Sequence, residues 1–226
     1  MIKKKVTTLI SLLMLFCFTE AFALPVLYVD GSAVNPMAGP LQDLVFSFAG
    51  GDQEWTLLYE VSNWDDVNYL GVYDDIGTGT NQTEIFDGPT SSGTAVTTHF
   101  AAGQQLGLYL LNDVNNNGFY DGNDSYLFSQ RSLTKYSYAN EHQWFSLYDV
   151  SSFGASNYFF NTHTEDLRFS GDFDYLIFID DDHTSANWDH NDMVAGITLA
   201  PIPEPASLLL FGLGLTGVRF LKRKRA

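Results

Sequence analysis

Tyr175-Leu-Ile-Phe-Ile179 runs directly into Asp180-Asp181-Asp182, and a loop rich in His, Asn and Asp leads on to Met193-Val-Ala-Gly-Ile-Thr-Leu199. Five consecutive apolar residues, aromatic and β-branched among them and bounded by carboxylates, read as a buried strand. Outward from this pair, short apolar segments recur between Gly, Asn and Asp clusters. The pattern predicts strands near residues 44–48, 55–61, 69–73, 95–100, 106–111, 125–130, 144–148, 175–180 and 193–199. No long stretch between the two ends has a helical period. Residues 78–94, rich in Gly and Thr, read as a loop. Short strands at regular spacing predict an all-β domain, an antiparallel β-sandwich of two packed sheets, jelly-roll-like in character. Residues 24–200 suffice for one such domain.

Both ends of the chain differ from this body. Lys3, Lys4 and Lys5 precede an apolar run over 6–18, and Ala21-Phe22-Ala23 places small residues where a signal peptidase reads them. Residues 1–23 are therefore expected to be a signal peptide. Cys17 is the single cysteine of the chain and falls inside it. Phe16 stands where a lipobox requires a small residue, and the mature chain is expected to hold no disulfide. At the other end, Pro203-Glu204-Pro205 precedes an uncharged apolar run over 206–218, and Arg219 and Lys222-Arg-Lys-Arg225 follow. Thirteen helical residues rise about 20 Å, short of the roughly 30 Å of a bilayer core, and a snorkelling arginine extends the reach. The basic cluster favours the cytoplasmic side.

This order of elements closely resembles the PEP-CTERM sorting signal of proteins exported by Gram-negative bacteria. The resemblance implies a transmembrane sorting helix and cleavage near the Pro-Glu-Pro motif by an exosortase-type enzyme. The membrane would then be a partner only until processing, and the destination would be the cell surface or the extracellular space. A plain C-terminal anchor behind a Pro-rich linker is the alternative.

Charge sharpens the picture of the body. The chain carries 11 basic and 27 acidic side chains. Eight of the basic residues and two of the acidic ones lie in the terminal segments. Arg131, Lys135 and Arg168 remain against 25 carboxylates, a net charge of −22 between the ends. Such a body excludes unaided binding to nucleic acid or an anionic lipid surface. It also repels itself unless cations neutralise part of it, and calcium is the natural candidate outside the cell. Solubility through a solvated acidic surface is the simpler reading.

Two constellations could hold that calcium. Asp113, Asn115, Asn117, Gly118, Phe119, Asp121 and Asp124 fall at positions 1, 3, 5, 6, 7, 9 and 12 of an EF-hand loop pattern. Oxygen ligands at alternate positions wrap a large cation, with the Phe119 carbonyl among them and Gly118 at the sharp turn. Asp124 replaces the usual bidentate Glu, and the flanks read as strands, so the expectation is a calcium loop between two strands. A turn-rich loop that binds nothing is the alternative. The second group is Asp180, Asp181 and Asp182 with Asp189, Asn191 and Asp192, which either share a cation or bond the amides of their own loop. His183 and His190 in that loop lack a third clear zinc ligand and read as exposed loop residues.

The closing run Asp189-His-Asn191-Asp192-Met-Val194 resembles the terminal signature of a domain of unknown function common in exported bacterial proteins, covering roughly residues 55–199. Tyr59-Glu60, the run from Asn68 to Asp74, and Leu106-Gly-Leu-Tyr-Leu-Leu resemble its earlier strands. That family implies no reaction and no catalytic residues. Three classes of function remain. One is a non-catalytic, calcium-stabilised surface or matrix protein, associated by the sorting resemblance with exopolysaccharide and biofilm. The second is a carbohydrate-binding module, with Trp64 and Trp188, each beside Asp, as candidate stacking residues. The third is a glycosidase-type enzyme, for which carboxylates abound but no pair stands out. No nucleophile elbow, P-loop, dinucleotide fingerprint or zincin motif occurs.

Overall fold

β12 (Tyr175–Ile179) lies at the heart of the fold, between β9 (Phe145–Asp149) and β13 (Met193–Leu199), in the computed structural model of the chain. The structure describes residues 26–38, 42–60, 68–87, 90–112, 125–134, 144–161, 166–180 and 192–200. β13 pairs in turn with β3 (Gly51–Glu60), and β3 with β6 (Ala95–Phe100). All four pairings of this five-stranded sheet are antiparallel.

Successive residues of a strand point to opposite faces, and around β12 both faces are covered. Ile177 and Ile179 join one core cluster with Leu147, Ala195 and Trp55. Leu176 and Phe178 join another with Tyr148 and Val194. A strand buried on both sides reads as an uninterrupted apolar run, which is why residues 175–179 are so conspicuous.

Each cluster is completed by a further antiparallel sheet. The first includes Leu70, Val72, Leu108, Leu110 and Leu127. These belong to the four-stranded sheet β5-β4-β7-β8, formed by β4 (Asn68–Asp75), β5 (Thr80–Phe86), β7 (Gly107–Asn112) and β8 (Ser125–Phe128). The second includes Leu27, Val29, Tyr158, Phe160 and Leu167. They come from the sheet β11-β10-β1-β2, formed by β1 (Val26–Val29), β2 (Ser32–Val34), β10 (Ala155–Asn161) and β11 (Asp166–Asp172). The Phe160 ring stacks on Phe178 at 3.7 Å between centroids, and Tyr148 meets both rings edge-on.

The all-β antiparallel expectation holds, but the sandwich has three layers where the sequence suggested two. All four strands of the β11-β10-β1-β2 sheet are additions to the sequence reading. Two smaller differences concern the opposite side. Residues 44–48 form no full strand: Phe46 makes one isolated bridge to Leu106, while Leu44, Phe46 and Phe48 bury their side chains in the core. The stretch read as a loop over 78–94 contains β5. Its first five residues are exposed and polar, which hid the strand. Asp75 sets the turn into it by accepting from the Gly77 N–H at 3.2 Å and the Thr80 hydroxyl at 3.1 Å.

Glycines allow close approach of rings at two places. Gly71 pairs with Tyr109 and Gly107 with Tyr73 across β4 and β7, so each tyrosine ring covers the glycine opposite it. Between layers, Phe173 lies against the backbones of Gly171 and Gly196, and a Cβ on Gly196 would stand 2.6 Å from the ring.

Candidate functional site

The sequence-derived candidates fall mostly outside the described residues. Asp113, Asn115, Asn117, Phe119, Asp121 and Asp124 do so, as do Asp181, Asp182, Asp189, Asn191, Trp64, Trp188 and the sorting residues Pro203, Glu204 and Pro205. Their flanking strands are described. β7 and β8 pair with Asn112 opposite Ser125, so residues 113–124 connect two adjacent strands. β12 and β13 pair with Ile179 opposite Met193, which places Asp180 and Asp192 at one end of the central sheet. Asp180 is buried, and its N–H donates to the Trp144 carbonyl at 3.0 Å. The Asp192 N–H donates to the Ile179 carbonyl at 3.1 Å. Glu60, the last residue of β3, is opposite Met193 at the same end. In the neighbouring sheet Asn68 is opposite Asn112, and residues 61–67 alone separate Glu60 from Asn68 along the chain. Among the described residues, no group of three or more His, Cys, Asp or Glu side chains could hold a metal ion.

A different surface, absent from the sequence reading, is fully described. It is the outer face of the β11-β10-β1-β2 sheet. Leu27, Val29, Tyr158, Phe160 and Leu167 point inward, so Tyr28, Phe159 and Arg168 project from the other face in one row. The Tyr28 and Phe159 rings lie 5.8 Å apart. The Arg168 guanidinium sits 4.4 Å from the Phe159 centroid, a cation–π contact. Two residues along the strands, Asp30, Asn157 and Ser170 form the next polar row. A groove of about 700 Å³ runs over these side chains.

A tight hairpin builds one end of this groove. Asp30 and Gly31 both have positive φ, 46° and 83°, between the paired residues Val29 and Ser32. That is the geometry of a two-residue type I′ turn, for which Asp-Gly is a preferred sequence. Asp30 Oδ1 accepts from the Asn157 N–H at 3.1 Å and from its side-chain amide at 3.3 Å. The Asn157 N–H, then its side-chain amide and Ser156, hold the Asp30 carboxyl below the usual carboxylate range. The Asp30-Gly31 dipeptide is the one local signal in the sequence that marks this hairpin.

Residues 201–225 match the PEP-CTERM protein-sorting motif. The tail is similar to such sorting signals. Its match lies wholly outside the described β-strands, and it is consistent with processing by an exosortase-type enzyme and with a destination beyond the cytoplasm. No curated protein matches the chain, and no solved structure does. Among the described residues no helix is long and apolar enough to cross a membrane.

Proposed function

We propose that this chain is an exported, non-catalytic protein of the cell surface or extracellular matrix, delivered by an exosortase system. The observation that carries the reading is the sorting motif at residues 201–225. In this account signal peptidase removes residues 1–23 during export across the inner membrane of a Gram-negative bacterium. The apolar segment after Pro205 then holds the chain in that membrane until cleavage near Pro203, Glu204 and Pro205. The body belongs to the exported family whose closing motif is matched by Asp189, Asn191, Asp192 and Val194, and it serves exopolysaccharide or biofilm as a structural component.

Calcium at residues 113–124 stabilises the body by offsetting part of its charge. The antiparallel pairing of β7 with β8 supports a loop held at both ends, as such a site requires. A ligand bound only by the folded state raises stability as RT ln(1 + [L]/Kd). Millimolar calcium is expected to raise the Tm of the full-length chain relative to EDTA, and Asp113→Ala to diminish the rise. An unchanged Tm would remove calcium from the account without touching the sorting reading.

Sorting has its own test. Expressed in a host with an exosortase, the native chain is expected at the surface or in the medium, shortened at both ends. The variant with Pro203, Glu204 and Pro205 all replaced by Ala is expected to stay in the membrane fraction with its tail intact. Equal release of both proteins, each with an intact tail, would overturn the proposal.

A further inference from the structure

The geometry points to a binding site for a neutral saccharide on the outer face of the β11-β10-β1-β2 sheet, built by Tyr28, Phe159 and Arg168 in one row and Asp30, Asn157 and Ser170 in the next. The inference gives the matrix reading a ligand class and rests on that reading only for the source of the saccharide.

Four observations carry it. First, Tyr28 and Phe159 are half-buried and adjacent on the solvent side of a sheet whose other face is packed, and they present aromatic surface there, Tyr28 foremost because Arg168 covers one face of Phe159. Aromatic rings offer a broad apolar surface to the C–H face of a pyranose. Second, hydrogen-bonding groups of both kinds border the rings. Arg168 brings a fork of N–H donors, and its guanidinium is oriented by the Phe159 ring beneath it. Among the described residues no carboxylate pairs with it. Asp30 is exposed and presents its carboxylate as an acceptor beside the two hydrogen bonds that Asn157 makes to Oδ1. Ser170 adds a hydroxyl. A sugar carries donors and acceptors together, so a mixed border suits it better than a purely apolar ligand.

Third, the spacing fits more than one ring. Arg168 and Asp30 stand two strands apart and two residues along, roughly 12 Å by ordinary sheet dimensions. That is the reach of a short oligosaccharide rather than a monosaccharide. The groove volume of about 700 Å³ agrees. Fourth, charge selects within the saccharides. A body with 25 carboxylates against three basic residues repels an acidic glycan at long range. At close range Asp30 and Arg168 carry opposite charges and offset each other, so an amino sugar finds no net attraction in the groove while it must desolvate its ammonium group. A neutral hexose polymer meets neither penalty. The site is also pre-built: the Asp30-Gly31 turn is fixed to Asn157, and the strands hold both rings in place, so binding requires little further ordering.

The test is titration of the purified full-length chain, in mild detergent, with three oligosaccharides of equal length: a neutral glucose oligomer, a glucuronate oligomer and a glucosamine oligomer. The neutral oligomer is expected to bind best. Arg168→Ala and Tyr28→Ala are each expected to weaken it about tenfold, the effect of removing one charge-assisted hydrogen bond or one stacked ring. Ser170→Trp fills the groove from an exposed position, so it is expected to block binding while near-UV circular dichroism shows an intact fold. Stronger binding of the glucuronate or glucosamine oligomer would overturn the charge argument and with it the ligand class. Binding of the neutral oligomer that survives Ser170→Trp, or no binding of any of the three, would overturn the site. None of these outcomes depends on tail cleavage, so failure here is separable from failure of the sorting proposal.

Discussion

The central sheet and the β11-β10-β1-β2 sheet are both antiparallel, yet they differ in what their side chains face. In β12, Leu176, Ile177, Phe178 and Ile179 are all buried, because a sheet packs on each side. In β10, burial alternates: Ser156, Tyr158 and Phe160 are inside, while Ala155, Asn157 and Asn161 are exposed and Phe159 is half-buried. Around β12 the first sheet has no surface left with which to meet a ligand, while on its β3 and β6 side burial alternates and Glu54, Thr97 and His99 are exposed. The second contributes one face to the core and keeps the other free. In this molecule the middle layer is the stabilising element and the outer layer is where recognition has room, and each consequence of that division can be attacked separately.

The largest effect is expected at Phe178, which lies between the two layers with its ring stacked on Phe160 and edge-on to Tyr148. Phe178→Ala is expected to cost about 3–5 kcal/mol through reduced burial and an interlayer cavity, measured by urea unfolding. A cost below about 1 kcal/mol would mean that the layers are not packed as described. Gly196→Ala attacks the same junction from the opposite direction. Its new methyl meets the Phe173 ring, and overpacking of this kind costs about 1–3 kcal/mol. An unaltered urea midpoint would show that Phe173 has room to move.

Alkaline pH probes the layers through their tyrosines. Burial pushes Tyr73 up to about 12 and raises Tyr109 and Tyr148 further. In the unfolded chain these groups ionise near 10. The folded state therefore holds its phenol protons more tightly. The contribution is fully present below pH 10 and is lost as pH climbs from about 10 through 12 and beyond. The urea midpoint is expected to fall between pH 9 and pH 11, and tyrosinate absorbance to show a class that ionises late. Tyrosines that all ionise together near pH 10 in the folded protein would contradict the burial. The smallest effect is expected on the free face. Phe159→Ala removes a half-buried ring from the solvent side and is expected to cost about 1 kcal/mol or less in urea unfolding. A cost equal to that of Phe178→Ala would erase the distinction between the layers.

What the sequence discloses follows the same division. Strands at the centre of the middle sheet are legible because burial on both faces leaves an apolar run: β13 falls at its expected bounds and β12 within one residue of them, whereas β6, also at its expected bounds, is marked by alternation. The outer layer is not legible in this way. Ala155-Ser-Asn-Tyr-Phe-Phe-Asn161 and Asp166-Leu-Arg-Phe-Ser-Gly-Asp172 do alternate, but their polar residues are turn formers and mask the period. β1 and β2 are only four and three residues long, and the Asp30-Gly31 turn between them is their plainest mark. The candidate site is harder still. Tyr28 is far from Phe159 and Arg168 in the chain, and the three become neighbours only through register. The aromatics singled out from the sequence, Trp64 and Trp188, lie outside the described residues, as do the calcium ligands of 113–124. The sorting tail, by contrast, is readable because its elements are contiguous and need no fold to bring them together.

The existence of the third layer underlies both the stability argument and the proposed site, and amide hydrogen exchange of the native chain tests it most directly. β10 bonds to β1 on one side and β11 on the other. Its hydrogen-bonded amides between Ala155 and Asn161 are expected to be strongly protected, approaching the slow exchange of β12 and β13, while the outward-facing amides of edge strands β2 and β11 exchange faster. Exchange across the whole of β10 at the rate of an unstructured chain would contradict a three-layer fold and leave the recognition face without a foundation.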